Sequence, residues 1–248
     1  MRALQRNGST FGSNRHRRMI RPFYSVGLLY RRKGTSLANF LGSCCAFRTT
    51  SHFLTAVHCI GMLEADDLAV AVPAFSGGEA LAVREVVRHP SGDLAVLVTD
   101  DRAANAIHPF SNVDLITDWG EEIGALGFPE DSHPDNSVRP TVRLFRGFAQ
   151  RFFKYDESGW QYGAVELSFG APAGLSGGPV FPMRDVCSLS GIATANRDAT
   201  TYLASVAEVQ DGNSTYTEKI HHRIQYGIAL DLKPWIDWLT EIVPRRPA

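Results

Sequence analysis

From Phe23 onward the chain reads as short apolar runs separated by turn residues. Val26-Gly27-Leu28-Leu29-Tyr30 ends in the turn-like Arg31-Arg32-Lys33-Gly34. It is followed by Cys44 to Phe47, Phe53 to Val57, Leu68 to Val72, Leu81 to Val87 and Leu94 to Val98. Runs this short and regularly spaced, with Gly and Pro between them, predict an all-β barrel or sandwich. A second set begins near Glu122 with Ile123 to Phe128, then Val142 to Phe145, Gly163 to Leu167, Val180-Phe181 and Gly191 to Thr194. Ser111 to Gly120 reads as the link between the two sets. Glu130 to Pro140 and Val209 to His222 are polar enough to read as surface loops. Leu232 to Leu239 carries proline in its first turn and apolar residues at helical spacing, which predicts a terminal helix. The domain division expected is a flexible basic arm over 1–20, a first unit over 21–118 and a second over 119–248.

Composition narrows the function classes. The 248 residues are 44% hydrophobic and 21% charged, an ordinary globular balance, and the net charge is −1. That charge gives no reason to expect nucleic acid or an anionic membrane as partner. No apolar run approaches the roughly 20 residues that a membrane-spanning helix needs, so no membrane insertion is expected. The cluster Arg15-His16-Arg17-Arg18 is short and reads as a solvated tail. Met1 to Asn7 lacks the apolar core of a secretory signal, which leads to the expectation of a cytoplasmic protein. The four cysteines, Cys44, Cys45, Cys59 and Cys187, form no C-x-x-C pair and have no matching histidine spacing. No metal site is therefore expected.

Three stretches carry chemistry. In Gly174-Leu175-Ser176-Gly177-Gly178-Pro179-Val180 a serine is flanked by glycines. Small neighbours let a carbonyl approach the hydroxyl and expose backbone N–H groups to an oxyanion. Alone, this motif would be a glycine-rich turn before a strand. His58 lies in Phe53-Leu54-Thr55-Ala56-Val57-His58-Cys59, after Gly42-Ser43-Cys44-Cys45-Ala46-Phe47. Asp93 lies in His89-Pro90-Ser91-Gly92-Asp93-Leu94-Ala95-Val96-Leu97, at the mouth of a run that should be buried, where an unpaired carboxylate is expensive.

Together, and in the order His58, Asp93, Ser176, these segments resemble the trypsin-like (chymotrypsin-fold) serine proteases over roughly residues 23–242. The resemblance implies two six-stranded antiparallel β-barrels closed by a C-terminal α-helix, with a site between them. It also implies a protein or peptide substrate and no cofactor. Ser176 would be the nucleophile, His58 its base and Asp93 the acid that orients the imidazole. The N–H groups of Gly174 and Ser176 would form the oxyanion hole. Gly170 and Ala171 would form the specificity-pocket floor, Thr194, Ala195 and Asn196 a wall and Gly227 the rear, with Thr194 also able to bond Asp93. No acidic floor residue is present, so an uncharged small or medium P1 side chain is expected. In the family a cysteine after the histidine often bridges to the preceding strand, and Cys59 with Cys44 or Cys45 would match; in a reducing cytoplasm the bridge would stay open and leave buried thiols.

The sequence departs from the zymogen-activated members at Leu175, where they carry aspartate, and it lacks their Ile-Val-Gly-Gly-like start. A site formed constitutively, or controlled by a loop movement or by a partner such as one dedicated protein substrate, is the expectation. Two rivals compete with this reading. Gly174 to Gly178 also fits the G-x-S-x-G elbow of α/β-hydrolases, with Asp198 and His221 as partners, although Gly177, Gly178 and Pro179 oppose the helix that elbow needs. The other rival is a protease fold without turnover that serves as a binding module.

Overall fold

The computed structural model describes residues 21–73, 80–102, 105–130, 141–157, 159–210 and 214–244, and for 21, 205–210 and 214–218 the backbone alone. The basic arm expected over 1–20 and most of the Glu130 to Pro140 loop lie outside the described residues.

Two closed antiparallel barrels account for the β-structure. The first contains β1 (Val26–Lys33), β2 (Ser36–Ala46), β3 (His52–Thr55), β4 (Leu68–Ala71), β5 (Leu81–Arg88) and β6 (Ala95–Thr99), in the spatial order β1-β2-β3-β6-β5-β4. The second contains β8 (Glu122–Gly127), β9 (Arg143–Glu157), β10 (Trp160–Leu167), β11 (Pro179–Pro182), β13 (Gly191–Gln210) and β14 (Ser214–Asp231), in the order β10-β14-β13-β11-β8-β9. Between them β7 (Asn112–Val113), inside the expected link, pairs in parallel with β12 (Ser188–Leu189). Helix α1 (Val57–Ile60) follows β3, and α2 (Ile236–Ile242) follows a 3-10 turn over Lys233–Trp235. The terminal helix is thus present, displaced toward the C-terminus.

Burial explains why these strands read as continuous apolar runs rather than as alternations. Val26 to Leu29 are all buried, as are Ala95 to Leu97 and Ile123 to Gly127. One face of each fills a barrel and the other packs outside it. One apolar cluster fills the first barrel (Leu29, Phe53, Val70, Leu97) and another the second (Ile123, Val165, Leu175, Val180). A third, containing Val26, Phe47, Val96, Phe110, Phe181, Leu230 and Trp235, welds both barrels and the C-terminal segment together.

The expected loop over Val209 to His222 is corrected. β13 and β14 form a single ribbon, paired from Gly191↔Asp231 out to Gln210↔Ser214. Where its side chains are described, from Asn196 to Ala204 and from Lys219 to Gln225, they are largely exposed, so the ribbon reads as polar although its backbone is paired.

Candidate active site

Asp93 is 2% exposed, and both its oxygens are used. Oδ1 accepts the backbone N–H of His58 at 2.9 Å and Oδ2 accepts its ring Nδ1 at 2.6 Å. A carboxylate only accepts, so the ring proton sits on Nδ1 and Nε2 is left as the acceptor. His58 stands in the first turn of α1, which is stopped at Gly61, a residue with φ +53°. Burial works against the imidazolium, but the bond to Asp93 and the Cys59 thiol outweigh it and raise the His58 pKa above its ordinary value.

The loop that carries Asp93 is organised by its own first residue. The Nδ1 of His89 accepts the N–H groups of Ser91 and Gly92 at 3.2 and 3.0 Å, and the His89 N–H donates to Leu94 O at 2.9 Å. The ring packs edge-on against Trp235 and Trp238 of the C-terminal segment. Gly92 lies so close to Trp235 that a Cβ there would stand 2.5 Å from Cη2.

Ser176 sits between two glycines with left-handed backbones, Gly174 (φ +87°) and Gly177 (φ +82°). The turn is tied by Leu175 N–H to Pro172 O at 3.0 Å, Gly177 N–H to Ala193 O and Gly178 N–H to Leu175 O, both at 2.8 Å. Among the described residues nothing accepts the N–H groups of Gly174 and Ser176. A Cβ on Gly177 would run into Ser43 O and the Thr55 hydroxyl.

Ser43, on β2, joins the two halves of the site, a role the sequence did not reveal. Its N–H donates to Ser176 O at 2.8 Å, and its hydroxyl donates to Gly174 O at 2.7 Å while accepting the Phe128 N–H at 2.9 Å. The Thr55 hydroxyl donates to Ser43 O at 2.9 Å. The nucleophile turn of the second barrel is therefore held against the strand that leads to His58. Ser176 Oγ donates to Thr194 O at 3.5 Å, and no hydrogen bond joins it to the His58 ring.

Several sequence expectations are revised. Thr194 does not bond Asp93: its hydroxyl accepts from Tyr162 at 2.9 Å and donates to Ile228 O at 3.2 Å. Burial keeps the Tyr162 hydroxyl protonated as that donor. Of the two cysteine states left open, the structure has the unbridged one: all four cysteines are free, with Cys44, Cys45 and Cys59 buried. The position facing Cys59 is Gly42, where a Cβ would lie 3.0 Å from the Cys59 Sγ and 2.9 Å from Ser176 O. Burial raises the pKa of the Cys44 and Cys45 thiols, which makes them poor nucleophiles. Leu175 is fully buried in the second barrel. The elbow reading fails on Ser176, which is followed by β11 and not by a helix. Asp198 is engaged by Arg223 and Gln225, and His221 packs on Tyr202.

The six pocket residues lie together. Asn196 on β13 reaches across to Ala171, accepting its N–H at 2.5 Å and donating to its carbonyl. The N–H of Gly227 donates to Phe169 O at 2.6 Å. A Cβ on Gly170 would meet Gln225 Cβ at 3.2 Å. Thr194 and Ala195 continue the Asn196 wall toward Ser176. Among the described residues no group of three His, Cys, Asp or Glu side chains is placed to hold a metal. No helix there is long and apolar enough to cross a membrane.

Comparison with solved structures fixes the architecture. The MamO protease domain from Magnetospirillum magneticum matches 89% of this chain and 97% of its own, with TM-score 0.61 and 16% identity. The active form of the Rv3671c protease from M. tuberculosis matches 100% and 96%, with TM-score 0.61 and 14% identity. The chain has the chymotrypsin fold. The HtrA-type protease AlgW, with a bound decapeptide, shares that fold over 92% of this chain and 67% of its own, with TM-score 0.61 and 19% identity. No family model matches the sequence, and no curated protein does. At these identities the likeness establishes the chymotrypsin fold alone.

Proposed function

We propose that this protein is a serine endopeptidase that cleaves peptide bonds through an acyl-enzyme on Ser176. The observation that carries the reading is the buried Asp93 carboxylate, which gives both oxygens to His58 at the junction of the barrels. With the proton fixed on Nδ1, Nε2 is free to take the Ser176 proton and return it to the leaving amine. Asp93 stabilises the imidazolium formed between those steps. The N–H groups of Gly174 and Ser176 are the donors for the tetrahedral oxyanion, where losing one donor typically costs about 10²–10³ in turnover.

Asn196 clasped to Ala171, with Gln225 against Gly170, leaves room for a small uncharged P1 side chain. The buried Leu175 makes activation by a freed amino terminus superfluous, because the turn has no carboxylate for an amine to engage. Control then falls to a partner or to the choice of substrate, for which a single dedicated protein suffices.

A second reading, a binding module without turnover, has one observation behind it: the Ser176 hydroxyl is turned to Thr194 O and not to His58. Fluorophosphonate labelling of the purified protein separates the two. The expected result is a covalent adduct on the wild type and none on Ser176→Ala or His58→Ala, with the melting temperature of Ser176→Ala unchanged. A folded wild type that takes no label overturns the protease reading.

A further inference from the structure

The ribbon of β13 and β14 is far longer than the barrel requires. β13 has 20 residues and β14 has 18, whereas strands in globular proteins usually run about 3–10. Only Gly191 and Ile192 of β13 pair with β11, and only Gly227 to Leu230 of β14 pair with β10. Beyond those contacts, among the described residues, no third strand lies along either edge of the ribbon. An unpaired edge is a row of main-chain donors and acceptors that another strand can satisfy.

One of these edges starts at the nucleophile. The Thr194 carbonyl faces Ser176 Oγ at 3.5 Å, so at Thr194 the edge of β13 away from β14 borders the proposed reacting centre. Main-chain groups alternate sides along a strand. Asn196, Asp198, Thr200 and Tyr202 therefore direct their N–H and C=O groups to that same edge, while Arg197, Ala199 and Thr201 face β14. The ladder is regular from Ala195 to Tyr202, bounded by irregularities at Ala193/Ala195 and Tyr202/Ala204. The eight steps from Thr194 to Tyr202 span about 27 Å.

Polarity decides what lies there. β13 runs outward from the nucleophile, so an antiparallel peptide runs inward and delivers its C-terminal end to Ser176. We propose that pairing continues past the residues beside the nucleophile: the free edge of β13 from Asp198 to Tyr202 binds substrate as an added antiparallel strand, holding the residues about four to eight places before the cleaved one. This deepens the protease reading and rests on it. It adds a substrate class: proteins that present a long, extended, proline-free segment upstream of the cleaved bond. In this register P5 pairs with Asp198, P7 with Thr200 and P9 with Tyr202.

The test is binding of fluorescent peptides to Ser176→Ala, which is independent of turnover. The probes are alternating Thr-Ala peptides with alanine at P1, one spanning P3 to P3′ and one P9 to P3′. The longer peptide is expected to bind at least ten-fold tighter. N-methylation at P5 or P7 should remove most of that gain, and N-methylation at P4 or P6 should not. Thr200→Pro, which deletes one edge N–H without touching the β14 ladder, should weaken the longer peptide at least five-fold. Equal affinity for the two peptides, or N-methyl effects without alternation, overturns the proposal even if Ser176 takes a fluorophosphonate. Absence of labelling with the length dependence intact would instead strike the catalytic reading and leave the ribbon as a peptide-binding strand.

Discussion

A carboxylate buried as deeply as Asp93 has to be answered by donors, and here one residue supplies both. His58 gives its backbone N–H and its ring Nδ1–H, so the acid and the base are fixed relative to each other by two bonds. The carboxylate that raises the imidazole pKa also sets the pH dependence. His58 has to be neutral to accept the Ser176 proton, so activity should be lost as pH falls through its raised pKa. The acid limb of the labelling rate should thus have its midpoint above the ordinary value of about 6.5. In Asp93→Asn the carboxylate's part of the rise is gone while burial still lowers and the Cys59 thiol still raises, so the limb should move to lower pH, with a maximal rate down by about 10⁴. A pH–rate profile of both proteins checks the sign and the size. At the same scale, Asn196→Gly should unclasp Ala171 and admit aromatic P1 side chains, read as a rise of roughly ten-fold or more in kcat/KM for P1 Phe over P1 Ala. His58, Asp93 and Ser176 were legible in the sequence because each is embedded in a distinctive local run. Ser43 and the Asn196 clasp were not. Ser43 works through partners 85 and 131 residues away, and Asn196 through one 25 residues away. No local pattern encodes such pairings.

At the scale of elements, the sequence was most readable where both faces of a strand are buried, as in β6 and β8, and least where neither is. The ribbon mixes polar and apolar residues without alternation, Ala-Thr-Thr-Tyr-Leu-Ala in one strand and Lys-Ile-His-His-Arg-Ile in the other. With so many exposed side chains it has no apolar face to declare, so composition pointed to loops while the backbone pairs throughout. The signal available was β-branched and aromatic content on both sides of Asp211-Gly212-Asn213, a turn-forming triplet outside the described residues. The His89-Pro90 run was readable as a motif, but its support was not, because α2 reaches it from the far end of the chain. That support is a packing fit. Gly92→Ala would force a methyl group into Trp235, and overpacking of this kind costs about 1–3 kcal/mol. For a chain of this size each kcal/mol lowers Tm by roughly 2–4 °C. Thermal denaturation should show that drop, together with a slower labelling rate, since the displaced loop carries Asp93.

At the scale of the whole molecule, the apolar runs alone show two sets of strands, and only the resemblance carried by the three motifs implied that each closes into a barrel, since runs of similar length and hydropathy do not say which neighbours which. The welding of the barrels was also hidden. The cluster that joins Val26, Val96, Phe110, Phe181, Leu230 and Trp235 belongs to neither barrel alone. Cutting it would expose apolar surface on both sides, so the barrels should unfold together. Denaturant melts followed by far-ultraviolet and near-ultraviolet circular dichroism should coincide, and a first barrel that melts separately would contradict this packing. The contact between Trp235 and Gly92 has one more consequence. Of the four tryptophans Trp235 is buried, Trp160 and Trp238 are partly so and Trp119 is 77% exposed, so the bluest part of the emission comes from the indole that the Asp93 loop covers. Any event that lifts that loop will wet the indole and shift its light to the red. The protein therefore carries an intrinsic optical gauge of whether its acid is in place, readable without a label and before any substrate is known.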